Sequence, residues 1–459
     1  MSFFKNALYL LSASVLTALL SFMLKPLVAR FLGPNEYGLF ALILGTATVI
    51  QAFTLLSMNS GVLYWTSKAP GRKKTIVGTV LSMSLAVSAL IFFPLQFVIG
   101  LFAPALGFYS YAAAFFLSVG LSFFAVFQAS LQGAEKFAEY SKYGVLLNFA
   151  AGALSVALAF YFHDGVLSAV ARGFAILLIV IAALRHFRLL GGFERKTLSQ
   201  VFDYSKPLAI AGMVAAFIAV VDRYFLAAFK GTAEVGYYDI GYAMVAAVLP
   251  FSGALLTIMM PRVIRQQQNL EMYYKKVAQA NTIVLSCIGL FFFYYSDIIV
   301  TLLLGNEYAP AALPFKIIAF ALPLMAFYGL NGASLDSVAK TKMSGLLAAL
   351  LTLFSIAFNF FLVPQFGAAG AAYANLLTYI AVVAIGWYYL RSRRKVELRE
   401  SVTQYALFFA FAVAYFAFLE KGGFVLKTLL FALFLAITLF TNRRLAKETL
   451  AQARNSLKK

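Results

Sequence analysis

The chain has 459 residues, 63% of them hydrophobic and only 12% charged, with a formal net charge of +20. This balance excludes a water-soluble domain, because apolar runs of roughly 20 residues, each long enough to cross a bilayer, recur along nearly the whole length. A single cysteine, Cys287, excludes an internal disulfide and a thiolate metal site, and the distant His163 and His186 make no metal site either.

The hydropathy pattern predicts an all-α polytopic membrane protein of about 14 transmembrane helices. The first span, near 7–31, exceeds the length of a signal-peptide core and reads as a retained helix. It carries Lys25, Pro26 and Arg30, and ends in Gly33-Pro34-Asn35-Glu36-Tyr37-Gly38. Spans follow near 38–64, 76–100, 108–131, 143–162 and 166–187, the last with Arg172. The seventh, 207–229, contains Asp222 and Arg223 and ends in Gly231-Thr232-Ala233-Glu234-Val235-Gly236. The eighth, 235–260, contains Asp239; the ninth to twelfth lie near 277–303, 312–334 (with Lys316), 344–363 and 368–390. Two more, 403–419 and 424–441, precede a basic tail.

Lysine and arginine alternate by loop. One set holds Lys68, Arg72–Lys74, Lys136, Lys142, Arg185, Arg188, Arg195, Lys196, Lys206, Arg262, Arg265, Lys275, Lys276, Lys340, Lys342, Arg391 to Arg399 and the tail; the other holds Lys230, Lys421 and Lys427. The positive-inside rule places the rich set, and both termini, in the cytoplasm, and explains the net charge without nucleic acid. The loops of the opposite side are short and offer no domain for a membrane polymerase, ligase or glycosyltransferase. No phosphate-loop motif is present, so energy must come from an ion gradient, the membrane potential or the substrate gradient.

The Gly33–Gly38 block recurs at Gly231–Gly236, 198 residues on, with Gly, Glu and Gly in register. Lys25 and Arg223 lie eight residues before their blocks. Ala129-Ser130-Leu131 recurs as Ala333-Ser334-Leu335, and Gly165 as Gly367. The spacing implies two parallel six-span lobes, 1–200 and 201–395, related by an axis along the membrane normal. Residues 396–441 form the two extra spans and 442–459 the tail.

Five cations lie inside spans: Lys25, Arg30, Arg172, Arg223 and Lys316. A charge at bilayer depth costs at least about 2.5–3.5 kcal/mol, so each needs a partner, a wet cavity or a route to the headgroups. Arg30, Arg172 and Lys316 sit near span ends, where snorkelling competes with a binding role. Lys25 and Arg223 are deeper and repeat-equivalent, and Pro26 beside Lys25 is a candidate hinge. An excess of buried cation suits an anionic cargo such as a phosphate or pyrophosphate, making these five the phosphate-binding candidates. Three roles are open to Asp222: neutralising Arg223, pairing with Lys25, or binding a coupling proton or sodium ion. Asp239 is the second such acid. Asp297 and Glu307 read as interfacial, and Asn59, Gln128 and Asn148 as hydrogen bonds between helices.

The stretch Leu27-Val28-Ala29-Arg30-Phe31-Leu32-Gly33-Pro34-Asn35-Glu36-Tyr37-Gly38 resembles the Wzx-type polysaccharide-biosynthesis exporters of the multidrug/oligosaccharidyl-lipid/polysaccharide (MOP) superfamily. Val221-Asp222-Arg223 with Glu234-Val235-Gly236-Tyr237-Tyr238 is similar to their seventh-to-eighth span pattern. The resemblance covers spans 1–12. It implies a MATE-like pair of lobes around an alternately open cavity in the cell membrane, and a lipid-linked oligosaccharide on a polyprenyl (pyro)phosphate carried to the outer leaflet. Membrane lipids, and glycosyltransferase or polymerase proteins, are the partners it implies; no cofactor is expected beyond a coupling H+ or Na+. Resemblance to the lipid II flippases is weaker, because their arginines in the first two spans are reduced here to Lys25 and Arg30. The competing readings are a cation-coupled multidrug or metabolite exporter on the same fold, an enzyme acting on lipid-linked sugars, and a non-transporting scaffold. The exporter reading would favour buried acids in the first lobe, and spans 1–6 have none at depth.

Overall fold

A computed structural model describes residues 3–250, 252–253, 270–337, 341–394, 399–415 and 423–443. Arg262, Arg265, Lys340, Lys395, Lys421 and most of the basic tail lie outside the described residues, as do the ends of the eighth and thirteenth spans. The described residues are helical almost throughout, as a bilayer demands: backbone polar groups must be satisfied within each segment. Among the described residues ten helices are long and apolar enough to cross a membrane, and two of them hold two spans each.

Helix α1 (Phe3–Leu55) contains the first span and most of the second. Its two arms meet at Gly33, whose φ of 73° is open to glycine and strained for other residues. Pro34 follows, a residue whose fixed φ suits the first turn of a helix. The chain turns again through Leu56 and Ser57, both in the left-handed region, into α2 (Met58–Lys68). Next come α3 (Lys73–Phe102), α4 (Phe108–Gly133), α5 (Phe137–Phe162) and α6 (Gly165–His186). Asp164 caps α6 by accepting from Leu167 N at 2.8 Å.

The seventh span is split. Helix α7 (Arg195–Ile218) stops, Val220 leaves helical geometry, and α8 (Val221–Phe229) carries Asp222 and Arg223. The first arm of α1 passes Pro26 in helical geometry, so the break falls in the seventh span and not beside Lys25. Helix α9 is Thr232–Ala246. Then follow α10 (Leu270–Leu304), α11 (Ala312–Ser337), α12 (Thr341–Arg394), α13 (Arg399–Ala414) and α14 (Phe424–Thr441). The arms of α12, the eleventh and twelfth spans, meet at Gly367 with φ 55°.

Equivalent turns of the repeat meet at one end of the bundle. A Cβ on Gly38 would lie 1.8 Å from Thr232 O, and one on Gly236 would lie 2.3 Å from Pro34 O. Thr232 is the repeat equivalent of Pro34, so the contact is symmetric, with two backbones touching where only glycine fits. Glu36 accepts from Gly165 N at 2.9 Å, and Glu234 accepts from Ala368 N at 2.6 Å. Each carboxylate thus caps the sixth helix of its own lobe, where the helix dipole favours negative charge. Equivalent ends on the same side require parallel repeats.

The opposite end is held by other contacts. A Cβ on Gly78 would strike Gly191 O at 2.2 Å, Trp65 Nε1 donates to Gln200 O at 3.0 Å, and Arg72 pairs with Glu194 at 2.9 Å. Helices α13 and α14 pack on α10: Tyr294 donates to Phe411 O at 2.8 Å, and Tyr295 bonds Thr428 at 2.9 Å.

Candidate functional site

Both arms of α1, with α4, α5 and α9, line a cavity of about 680 Å³. Lys25 lines it and also lines a smaller niche of about 40 Å³, shared with Tyr37, Arg172 and Asp239. Ser21 and Asn148 likewise face both spaces, so the niche adjoins the larger cavity.

The niche has an asymmetric charge pattern. Arg223 binds Asp239 through Nη2 at 2.5 Å and Nε at 2.6 Å, and Arg223 Nη1 donates to Ala219 O at 2.7 Å. The other Asp239 oxygen accepts from the Tyr37 hydroxyl at 2.9 Å. Asp239 is therefore engaged on both oxygens. Lys25 and Arg172 have no carboxylate within 4.0 Å among the described residues, and Lys25 is exposed to the cavity. Two positive charges are left over in a space walled by apolar helices, where screening is weak and an anion is attracted strongly.

Asp222 does not neutralise Arg223, although the two are adjacent in sequence; neighbours on a helix point about 100° apart. Its carboxylate faces the other way, accepting from Tyr238 at 2.5 Å, Asn359 at 2.6 Å and Ser355 at 3.4 Å. It lines a second small cavity of about 70 Å³ with Ser355, Asn375 and Thr378, and Arg223 borders that cavity too. Asn375 Oδ1 and Thr378 Oγ1 are buried there without a hydrogen-bond partner among the described residues. Asp222, expected to neutralise Arg223, pair with Lys25 or bind an ion, makes no ion pair with either cation among the described residues, and Arg223 pairs with Asp239 instead. Asp239 does the neutralising.

Arg30 and Lys316 line neither cavity. Arg30 is exposed at the Gly33 turn. Lys316 reaches Asp297 Oδ2 at 3.5 Å and the Tyr415 hydroxyl at 3.2 Å, and its ammonium lies 4.8 Å from the centre of the Tyr415 ring. It therefore joins α11 to α10 and α13, and Asp297 is its partner rather than a headgroup contact. Of the five cations named from the sequence, Arg172 and Lys25 share the niche, and Arg30 and Lys316 lie apart from it. Sequence reasoning missed Tyr37, Tyr238, Ser355, Asn359, Asn375 and Thr378. Tyr37 sits inside the motif quoted above, but nothing in the sequence shows that it spans to Asp239, 202 positions away. Gln128 and Asn148, expected to join helices, do so only in part: Gln128 Nε2 donates to Tyr140 O on α5, and Asn148 Nδ2 to Gly144 O within its own helix.

Comparison with known proteins agrees with this architecture. The solved lipid II flippase MurJ, in an inward closed conformation, superposes with a TM-score of 0.78 at 15% identity, covering 95% of this chain and 99% of that one. A MOP superfamily transporter from Pyrococcus furiosus gives 0.56 at 13% identity, covering 85% of this chain and 95% of the other. In fold the chain is thus nearer to MurJ than the first two spans imply. Among relatives by sequence, the probable low-salt glycan biosynthesis flippase Agl15 of Haloferax volcanii is 23% identical over 211 residues, 45% of each chain. The chain therefore spans about half the length of the curated relatives it matches. The model of the family described as polysaccharide biosynthesis protein matches residues 27–313, well over half of the chain. These residues include the Gly33 and Gly231 turns, Arg172 and the Arg223–Asp239 pair, while Lys25 lies two positions before them, and the chain belongs to the polysaccharide biosynthesis protein family.

Proposed function

We propose that the chain is a flippase of the secondary-transporter type, not an enzyme. Its cargo is a lipid-linked oligosaccharide on a polyprenyl phosphate or pyrophosphate, moved from the inner to the outer leaflet of the cell membrane. The observation that carries this reading is the pair of uncompensated cations, Lys25 and Arg172, in a niche that adjoins a cavity of about 680 Å³. The family and the flippase relatives support it. The (pyro)phosphate sits between Lys25 and Arg172, the glycan fills the cavity, and the lipid tail stays in the bilayer. The lysine- and arginine-rich loops face the cytoplasm, so the Gly38–Gly236 contact closes the outer side while the cavity receives cargo. Rocking of the lobes separates that contact and exposes the headgroup outside. Glycosyltransferases or polymerases act before and after this step.

Ion coupling, in this proposal, falls to Asp222. The unpartnered oxygens of Asn375 and Thr378 beside its carboxylate are hard donors of the kind sodium takes, with the Arg223 guanidinium at the edge of the same cavity already paired to Asp239. Replacing external sodium by choline should then slow transport in the wild type and leave a slowed Asp222→Asn variant unchanged. A proton-coupled protein would respond to a pH gradient instead.

The test is transfer in liposomes. Purified protein should move a fluorescent polyprenyl-pyrophosphate sugar between leaflets and leave an organic cation dye where it is. Transport of the dye without the lipid would support the exporter reading, which the absence of any Asp or Glu among the described residues lining the large cavity disfavours.

A further inference from the structure

We infer that the wall of the large cavity is a subsite for the first sugar of the headgroup, read by the side-chain amides of Gln51, Gln128 and Asn148. This inference rests on the function proposed above and names what that site recognises. The amides stand on three different helices, α1, α4 and α5, and face one space with the hydroxyls of Thr17 and Ser21 and the ring of Tyr140.

Polar side chains within membranes usually join helices. Elsewhere in this chain they do: Thr46 bonds Tyr224 at 3.1 Å, and Thr54 bonds Ser122 at 3.3 Å. The cavity set behaves differently. The side chains of Gln51, Thr17 and Ser21 make no hydrogen bond among the described residues. Asn148 spends its Nδ2 on Gly144 O at 3.0 Å and has no donor for its Oδ1 among the described residues. Gln128 is only 9% exposed; its Nε2 donates to Tyr140 O at 3.2 Å, and its Oε1 is buried with no partner. A buried acceptor without a donor is costly unless a ligand supplies one.

The chemistry that satisfies this wall is a polyol. A side-chain amide offers both a donor and an acceptor, matching the paired hydroxyls of a pyranose, and the Tyr140 ring can cover the apolar face of the sugar. The described residues of the lining include no carboxylate, so an amine finds no counter-charge among them. Asn148, Ser21 and Lys25 line the niche as well, so the sugar read here is the one bonded directly to the phosphate.

Two short-chain probes test the subsite: citronellyl pyrophosphate, and the same lipid carrying one N-acetylglucosamine, with binding to purified protein followed by native mass spectrometry. In the wild type the sugar should tighten binding about tenfold, the equivalent of one or two well-made hydrogen bonds. Gln128→Leu and Gln51→Leu should lose most of that increment and still bind the bare probe as the wild type does, which also shows that they fold. Should Gln128→Leu fail to fold, Gln51→Leu, at a half-buried position on the cavity, gives the same readout. An increment unchanged in the variants, or absent from the wild type while the bare probe binds, would overturn the subsite alone. Binding of neither probe would overturn the lipid-pyrophosphate reading and the subsite with it.

Discussion

Arg223 and Asp239 form an ion pair at 2.5 Å, and this pair makes the two repeat-related cations unequal. Lys25 and Arg223 occupy matching positions, but the carboxylate that neutralises Arg223 has no counterpart in the first lobe: the residue 198 positions before Asp239 is Ala41. Substitution at one position therefore places a compensated cation in one lobe and a free one in the other.

Breaking that pair should be expensive. Asp239→Asn leaves a guanidinium almost fully buried without its counter-charge, a change that costs about 3 kcal/mol or more. The thermal unfolding midpoint in detergent should fall by several degrees. Arg223→Gln added to Asp239→Asn should restore much of the loss, because the second change removes the orphaned charge. A strictly additive double variant would show that the two side chains do not depend on each other.

The symmetric glycine contact sets up a second prediction. Gly38→Ala and Gly236→Ala each push a methyl group into the backbone of the other lobe, and backbone cannot move aside as a flexible side chain can. Each should part the lobes at this end. A cysteine at the buried position Val235, in a Cys287→Ala background, should then react faster with a membrane-impermeant maleimide. Equal labelling with and without the alanine would show that the seal lies elsewhere.

At the opposite end, Glu194 has a lowered pKa. Hydrogen bonds from Thr197 and then from Arg72 hold its carboxylate below the usual range, with the Arg72 charge adding to the effect. A depressed pKa contributes stability above the unfolded value and loses it as pH falls through the folded one. The clasp between the α2–α3 turn and the start of α7 should therefore persist at neutral pH and loosen only in acid, below the usual carboxylate range. Proteolysis of the 187–194 linker by an acid-tolerant protease should speed up in that window for the wild type. In Glu194→Gln it should be fast at every pH, and a pH-dependent variant would contradict the assignment.

The fold was largely legible because the two strongest signals are local. Apolar length marks the spans, and lysine and arginine mark one set of loops. The Gly-x-x-Glu-x-Gly repeat carried more than was asked of it: its glycines supply positive φ and close packing, and its glutamates cap Gly165 and Ala368. The charges were less legible. Arg172 and Lys316 look alike in sequence, each about a turn or two inside a span, but one faces the niche and the other meets Asp297 and Tyr415. Which face of a helix meets which neighbour is a tertiary fact that one amphipathic pattern does not encode in a chain that is apolar all round. For the same reason the partners of Asp222 were out of reach, since Ser355 and Asn359 lie more than 130 positions away.

The central claim is that Lys25 and Arg172 hold the phosphate of the cargo. Its most direct test is leaflet transfer of a fluorescent polyprenyl-pyrophosphate sugar by reconstituted Lys25→Gln/Arg172→Gln protein, with thermal unfolding measured on the same preparation. Neither cation has an ion-pair partner to orphan among the described residues, so the account predicts an unfolding midpoint at or above that of the wild type. It also predicts transfer reduced at least about a hundredfold, as the loss of two charge-assisted contacts of about 1.5 kcal/mol each implies. Wild-type transfer by the folded double variant would contradict it.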